Sequence, residues 1–179
     1  MQAQVYRCEV AGKVEFQQHP CAAASGSSKL VSAATDQPPL WTTLTRGLTV
    51  DEVLKAVPQA KLGDDDKLKN GARSLLWVKR ISAGGQDFDA RFFFLNDRFH
   101  RVNFSGSMNH SNELSMKTFD KLAETFQRSY GAPADKKFIN ESMGMAASAT
   151  WNINQGEVWL ILVPVTANTA FVNFGFVPK

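Results

Sequence analysis

The two cysteines, Cys8 and Cys21, are the residues whose type and spacing most directly indicate chemistry in this chain. They lie thirteen positions apart, and the sequence holds no third cysteine that competes for either. A disulfide between them would close a short loop and stabilise the folded state by roughly 3 kcal/mol. Because such bonds persist in oxidising compartments, the pair predicts a structural disulfide in an exported protein.

Other roles of the cysteine pair find less support in the sequence. A zinc site needs about four closely spaced ligands, and His19 is the only nearby residue that would help. The Cys-x-x-Cys spacing of a redox site is absent. Two free thiols in a cytosolic protein remain the alternative to the disulfide.

Residue types that commonly act in catalysis or metal binding form no known motif. His19, His100 and His110 are predicted in a turn, a strand and a loop, without a metal, phosphate or dinucleotide motif around them. Strand alternation predicts that His100 and Arg101 point to opposite faces, which argues against a joint site. The acidic run at 64–66 is typical of a solvated loop. The sequence therefore predicts no catalytic residues, no metal site and no cofactor.

The composition is that of a folded domain with a sizeable core. The chain has 179 residues, of which 44% are hydrophobic, and it includes 13 Phe and 4 Trp. Its longest apolar run, Val158–Val165, is far shorter than the roughly 20 residues that span a bilayer, so no transmembrane segment is predicted. The formal net charge of +3 is small for a nucleic-acid-binding domain, and we expect no nucleic acid partner.

Hydrophobic periodicity predicts two helices, each followed by three strands. Thr49 and Glu52 form a capping-box pattern at the start of the first helix, which Pro58 ends. Ser115 is the predicted cap of the second helix, which stops at Gly131. The predicted strands are Arg73–Ser82, Asp87–Leu95, Arg98–Phe104, Ala149–Ile153, Glu157–Val165 and Thr169–Val177.

The repeated order predicts an α+β fold. We expect a pseudo-duplicated helix plus three-stranded antiparallel meander, with the helices packed on one face of the sheet. Three segments are predicted along the chain: a disulfide-closed hairpin module at 1–21, a linker rich in Ala, Ser and Gly at 22–40, and the α+β body at 41–179. The body is expected to divide into halves at 41–107 and 108–179.

The N-terminal segment contains the runs Tyr6-Arg7-Cys8, Gly12-Lys13-Val14 and Pro20-Cys21, with an aromatic residue at Phe16. These runs resemble a small N-terminal module of unknown function that is common on secreted and periplasmic proteins of Gram-negative bacteria. In that family an aromatic-Arg-Cys or aromatic-Arg-Trp opening precedes a Gly-Lys-Val-x-Tyr hairpin and a Pro-Cys or Pro-Pro close. The resemblance covers about the first twenty residues. It implies an envelope location and not an activity.

The body carries Gly47-Leu48-Thr49 with Val53 at its first helix, then Tyr130-Gly131 with Pro133 after the second helix and Thr150-Trp151 in a strand. This order resembles the small envelope modules typified by the BamE and OmlA lipoproteins and by the β-lactamase inhibitor protein. The Gly that usually precedes Pro at the end of the first helix in these modules is missing at Val57-Pro58. The resemblance implies protein binding through a sheet face or its loops, without catalysis.

Aromatic and basic residues mark the predicted partner-binding surface. Trp41 follows a proline-rich stretch, where it is either an exposed anchor or a plug over the sheet. Phe93 shares a strand face with Arg91, and Phe99 shares one with Arg101. If these faces are solvated, Trp41 and these two pairs form a surface suited to an acidic protein partner. The other tryptophans, Trp77, Trp151 and Trp159, are expected in the core.

The function that these patterns favour is protein binding without catalysis in the periplasm of a Gram-negative bacterium. Residues 1–4 lack the charged and apolar regions of a secretory signal, so we expect that a signal peptide has been removed. A lipid anchor is the alternative to a soluble form. An immunity protein that neutralises an antibacterial secreted effector is a sharper version of this hypothesis, and an uncharacterised envelope enzyme is the third.

A thiol assay tests the cysteine prediction. Denatured but unreduced protein, prepared after natural export, is expected to show no free thiol, and reduction is expected to release both. Replacing both cysteines with serine is expected to lower the free energy of unfolding by roughly 3 kcal/mol, because the unfolded chain loses a loop constraint. Two free thiols in the exported protein would contradict the oxidising location.

Overall fold

The computed structural model describes residues 38–63, 66–107 and 110–179 with their side chains, and the backbone of three strands before them. These strands are β1 (Val5–Val10), β2 (Lys13–Gln17) and β3 (Lys29–Val31), paired antiparallel in the order β2-β1-β3. They belong to a compact unit that ends at Asp36, so β3 lies within the segment that the sequence predicted as a linker. Cys8 lies in β1 opposite Glu15, whereas Cys21 is outside the described residues, and the disulfide stays a prediction.

The second compact unit, from Gln37 to Lys179, is built on one nine-stranded antiparallel sheet. The strand order is β4-β5-β6-β7-β12-β11-β10-β9, and β8 pairs with β12 beside this path. The strands are β4 (Lys61–Leu62), β5 (Arg73–Ala83), β6 (Gln86–Leu95), β7 (Arg98–Gly106), β8 (His110–Ser111), β9 (Asp135–Glu141), β10 (Gly144–Ile153), β11 (Gly156–Pro164) and β12 (Thr169–Pro178). The helices are α1 (Val50–Ala56) and α2 (Asn112–Tyr130).

This architecture corrects the predicted fold class, because strands dominate the described chain and the two helices are unlike each other. The α+β fold with a pseudo-duplicated helix is wrong: α1 has 7 residues and buries only Val53, whereas α2 has 19 residues and a long buried side. The sequence pattern also missed β4, β8 and β9. The six predicted meander strands are present, with ends that differ by a few residues.

Local sequence signals explain where the helices begin. Thr49 and Glu52 form the predicted capping box, in which Thr49 Oγ1 accepts from the Glu52 N–H and Glu52 Oε2 accepts from the Thr49 N–H at 2.8 Å. The hydrogen bonds that Glu52 Oε2 accepts from the N–H and from the hydroxyl of Thr49 lower the pKa of Glu52. The predicted cap of α2 is wrong by one turn, because Ser111 caps the helix and Ser115 is buried, where its hydroxyl donates to the Ala170 carbonyl at 2.8 Å.

Aromatic rings fill the core between the sheet and α2. Phe174 of β12 stacks on Phe104 of β7 at 4.5 Å and meets Phe88 of β6 edge-on at 4.8 Å. It also contacts Phe126 of α2 at 5.7 Å. All four rings are buried, and aromatic pairs at such distances stabilise a core beyond their area alone. Phe174 therefore joins three strands and the long helix.

Truncation of Phe174 tests the importance of this ring. Phe174→Ala is expected to lower the free energy of unfolding by about 3–5 kcal/mol, because it removes a large buried side chain and leaves a cavity. Phe171→Ala is the matched control, since Phe171 lies on the same strand but alternates with the core residues and is half-buried. Urea denaturation of both variants measures the difference. Equal losses would contradict the central place of Phe174.

Candidate functional site

The face of the main sheet that points away from the Phe174 core, here called the outer face, carries large aromatic and charged side chains. One row of residues crosses six strands in register, from β5 through β6, β7, β12 and β11 to β10. Its members are Trp77, Arg91, Asn103, Gly175, Trp159 and Thr150. Four strand spacings separate the two tryptophans in this row, a span of roughly 19 Å.

Trp159 lies across the sheet because its neighbour in the row, Gly175, has no side chain. A Cβ atom at position 175 would stand 2.7 Å from Trp159 Cζ2 and would overlap the Val102 carbonyl oxygen. The glycine therefore lets the two strands approach each other closely, and the Trp159 indole occupies the space that a side chain at 175 would fill. The ring is half-buried, and its Nε1 has no acceptor among the described residues. A buried N–H group without an acceptor lowers the stability of the fold by about 1–3 kcal/mol. Unsatisfied polar groups of this kind are typical of functional sites.

A guanidinium group covers the Trp159 ring. The Arg101 Cζ atom lies 5.0 Å from the ring centroid, which is a cation–π distance, and Arg101 Nε donates to Asn103 Oδ1 at 2.7 Å. Burial lowers the pKa of Arg101, and the nearby carboxylate of Glu157 opposes that effect. Arginine keeps its charge under these conditions, so a fixed cation stands over the indole.

The other end of the row holds a shallow pocket of about 260 Å³, lined by Trp77, Lys79, Asp89 and Arg91. Lys79 Nζ lies 4.9 Å from the centroid of the Trp77 ring, and Lys61 Nζ lies 5.8 Å from it. Two ammonium groups therefore lie within cation–π distance of the Trp77 indole.

A β-bulge gives the pocket its shape. The pairing of β5 with β6 shifts between Val78 and Ile81, so that Lys79 and Arg80 together face Asp89. Arg80 has a positive φ of 57°, and its backbone N–H donates to Asp89 Oδ1 at 3.2 Å. This hydrogen bond holds the carboxylate at the wall of the pocket, and Lys79 is turned over Trp77.

A second bulge overturns the predicted orientation of His100. Phe94 pairs with Phe99 but Phe93 pairs with Arg101, which leaves His100 as the extra residue on β7. Phe99 and Val102 both lie in the core, so His100 and Arg101, the two residues between them, share the outer face. The prediction that these two point to opposite faces is wrong, because the bulge breaks the alternation of period two.

His100 occupies an electropositive, partly buried position. Burial is the main cause that lowers its pKa, and the positive charges of Arg46 and Arg101 lower it further. Its Nε2 lies 3.1 Å from Asn70 Nδ2, a distance that fits a hydrogen bond from the amide to the neutral ring. The lowered pKa favours the neutral imidazole, which takes part in the structure of the bulge.

The structure separates the five predicted partner-binding residues. Arg91 and Arg101 lie on neighbouring strands of the outer face, where both are half-buried. Phe93 and Phe99 are only 2% and 1% exposed, so neither ring belongs to an accessible surface. Trp41 packs on Phe92 and Phe104 at 5.0 and 5.5 Å, and it is therefore a plug against the core.

Sequence reasoning placed Trp77 and Trp159 in the core, but both lie on the outer face, and only Trp151 is a core residue at 1% exposure. The signal that reveals them is the alternation of each strand. Trp77 alternates with Lys79 on β5, and Trp159 alternates with Glu157 on β11. Tryptophans in phase with charged residues belong to the solvated side of a strand.

The described residues hold no group of three His, Cys, Asp or Glu side chains that could bind a metal ion. His19, Asp64 and Asp65 lie outside them. Neither of the helices in the described chain is long and apolar enough to cross a membrane.

An NMR titration tests the setting of His100. Its pKa is expected below the ordinary value of 6.5, so the folded protein resists protonation and the free energy of unfolding decreases as the pH falls through 6.5. Arg46→Gln is expected to raise this pKa, because it removes a repelling charge. Arg98→Gln is the control, since Arg98 is exposed and does not contribute to the shift. A His100 pKa that does not respond to Arg46→Gln would contradict this arrangement.

Comparison with known proteins gives no independent guide to function. No protein-family model matches the chain, and neither curated proteins nor solved structures give a significant match. The arrangement of residues on the outer face is therefore the basis for the function proposed below.

Proposed function

We propose that this chain is a non-catalytic protein-binding module that holds an acidic protein partner on the outer face of its main sheet. The contact surface is the aromatic–basic patch, which we define as Trp77, Lys79, Arg91, Arg101 and Trp159. The single observation that carries the proposal is the pairing of each indole with a cation, at 4.9 Å for Trp77 and 5.0 Å for Trp159, on one face of the main sheet.

The residue types of the patch support binding to a protein. Trp and Arg are enriched among the interface residues that contribute most to affinity, because they combine large contact areas with directed polar groups. The two indoles and the guanidinium of Arg101 are already held by packing and hydrogen bonds. A surface ordered before binding loses less conformational entropy when the partner arrives.

The size of the pocket favours a partner side chain over a free small molecule. Its volume of about 260 Å³ is below the roughly 300–1,000 Å³ of typical ligand sites. The pocket lies between Lys79 and Arg91, so a carboxylate of the partner would meet two cations there while its aliphatic stem contacts Trp77.

Charge supports an acidic partner. The patch contains three cations, Lys79, Arg91 and Arg101, whereas two carboxylates lie beside it: Asp89, which accepts from a backbone N–H, and Glu157, which is near Arg101. The whole chain carries a formal charge of +3. Complementary charge raises the rate of association and makes binding depend on salt.

The proposed location is the periplasm of a Gram-negative bacterium. It is supported by the pair Cys8 and Cys21 and by the resemblance of the first residues to a module of exported proteins.

Affinity capture from native bacterial envelopes, followed by titration of the isolated partner, tests the proposal. A stoichiometric acidic protein is expected, and its affinity is expected to fall as the salt concentration rises. Lys79→Glu is expected to weaken binding by about tenfold or more, because it places a negative charge at the pocket. Trp77→Ala is expected to weaken it by about thirtyfold, as for a central interface residue.

Lys121→Glu is the matched control, since it makes the same charge change on an exposed position of α2, and it is expected to bind like the wild type. Circular dichroism of every variant confirms that the fold is intact. Wild-type affinity in both patch variants would place the interface elsewhere. A small molecule that copurifies in place of a protein would overturn the proposed function.

A further inference from the structure

The main sheet ends at β9, which is an edge strand. All seven residues of β9 are exposed, and among the described strands it is the last in the order, with β10 as its one partner there. The opposite end of the sheet is different, because β4 has only two residues. Proteins commonly protect an edge strand with lysine, a proline, a bulge or short length, and of these features β9 has the lysines, Lys136 and Lys137. β9 contains no proline, and its pairing with β10 continues from Asp135 to Glu141 without a shift.

Large apolar side chains are exposed on and beside this edge. Phe138 is 50% exposed, Ile139 is 54% exposed, and Met143 in the turn after β9 is 45% exposed. Phe138 touches Phe119 of α2 at 6.1 Å, so it lies on the helix side of the sheet. Ile139 pairs with Ala146 and lies on the outer face. No other strand of the described chain pairs with the far side of β9, so this edge offers backbone groups and apolar contacts to an added strand.

We infer that β9 pairs antiparallel with β9 of a second copy of this chain, in the register centred on Ile139. This register places Lys137 of each copy opposite Glu141 of the other, which gives two ion pairs around an Ile139–Ile139 contact. Because the contact is isologous, each copy supplies both charges and the surface complements itself. The two main sheets then form one continuous sheet across the dimer.

Charge selects this register over its neighbours. A register centred on Phe138 places Asp135 opposite Glu141, and a register centred on Lys137 places that lysine opposite its own copy. Like charges that face each other across strands destabilise pairing, whereas opposite charges stabilise it. Registers centred nearer either end of β9 pair fewer residues.

In the inferred dimer Lys137 leaves Asp135 and pairs with Glu141 of the other copy, and this exchange costs little free energy. In the single chain Lys137 Nζ lies 2.8 Å from Asp135 Oδ2, and both side chains are at least half exposed. Exposed pairs of this kind contribute about 0–1 kcal/mol. Lysine on an edge strand usually prevents pairing between copies, but opposite Glu141 it favours pairing.

Analytical ultracentrifugation of the full chain tests this inference through a charge swap. The wild type is expected to show a concentration-dependent dimer. Lys137→Glu and Glu141→Lys are each expected to weaken the dimer by tenfold or more, because each variant places two like-charged pairs in the contact. An equal mixture of the two variants is expected to restore the dimer, since every pair is again of opposite sign. The double variant Lys137→Glu/Glu141→Lys is expected to dimerise like the wild type.

Lys136→Glu is the matched control on the same strand. In the inferred register Lys136 faces Ser142, so this variant is expected to keep the wild-type dimer. A wild type that stays monomeric at high concentration overturns the inference, even if β9 then accepts a strand from another protein. A dimer that neither single variant weakens, or that the mixture does not restore, overturns it as well. Because these side chains are exposed, circular dichroism is expected to show an unchanged fold in every variant.

Discussion

The pairing of β7 with β12 joins the two halves of the main sheet. Only four residue pairs form this seam, from Val102–Phe176 to Ser105–Asn173. On the side of α2, Phe104 stacks on Phe174 across the seam. On the other side, Gly175 faces Asn103 and leaves space for Trp159. The same four pairs therefore close the aromatic core and place Trp159 of β11 beside Arg101 of β7, so stability and the binding surface depend on one contact.

The two faces of the main sheet differ in the type and the burial of their side chains. The helix-covered face is a continuous set of buried apolar rings, where large losses follow from single truncations. The outer face mixes half-buried indoles with cations that lie over them, and two bulges turn Lys79 and Arg101 into that arrangement. Bulges change the direction of a few side chains without changing the order of the strands. The two bulges therefore shape the outer face locally, while the strand order of the main sheet stays regular.

The sequence predicted regular elements better than their assembly. Alternation along β5, β6, β7, β11 and β12 gave their approximate positions, and the Thr49–Glu52 pattern gave the start of α1, because both signals are local. The α+β class failed because it assumed two equivalent helices, whereas their lengths are 7 and 19 residues. β9 was missed because all of its residues are exposed, so no apolar alternation marks it.

Of the residues in the candidate site, the sequence correctly placed Arg91 and Arg101 on the outer face. Phe93 and Phe99 are buried, and strand periodicity does not reveal the bulge at His100, which lies between Phe99 and Arg101 on β7.

The space above Gly175 links two positions that are sixteen residues apart in the chain. A side chain at 175 and a large ring at 159 exclude each other, because both would fill the same volume. Position 175 is constrained twice, because a Cβ atom there also overlaps the Val102 carbonyl oxygen: a descendant that acquires one must separate the strands as well as shrink or move the ring at 159. In distant sequences, glycine and tryptophan at these two places are a more specific mark of common ancestry than either residue alone.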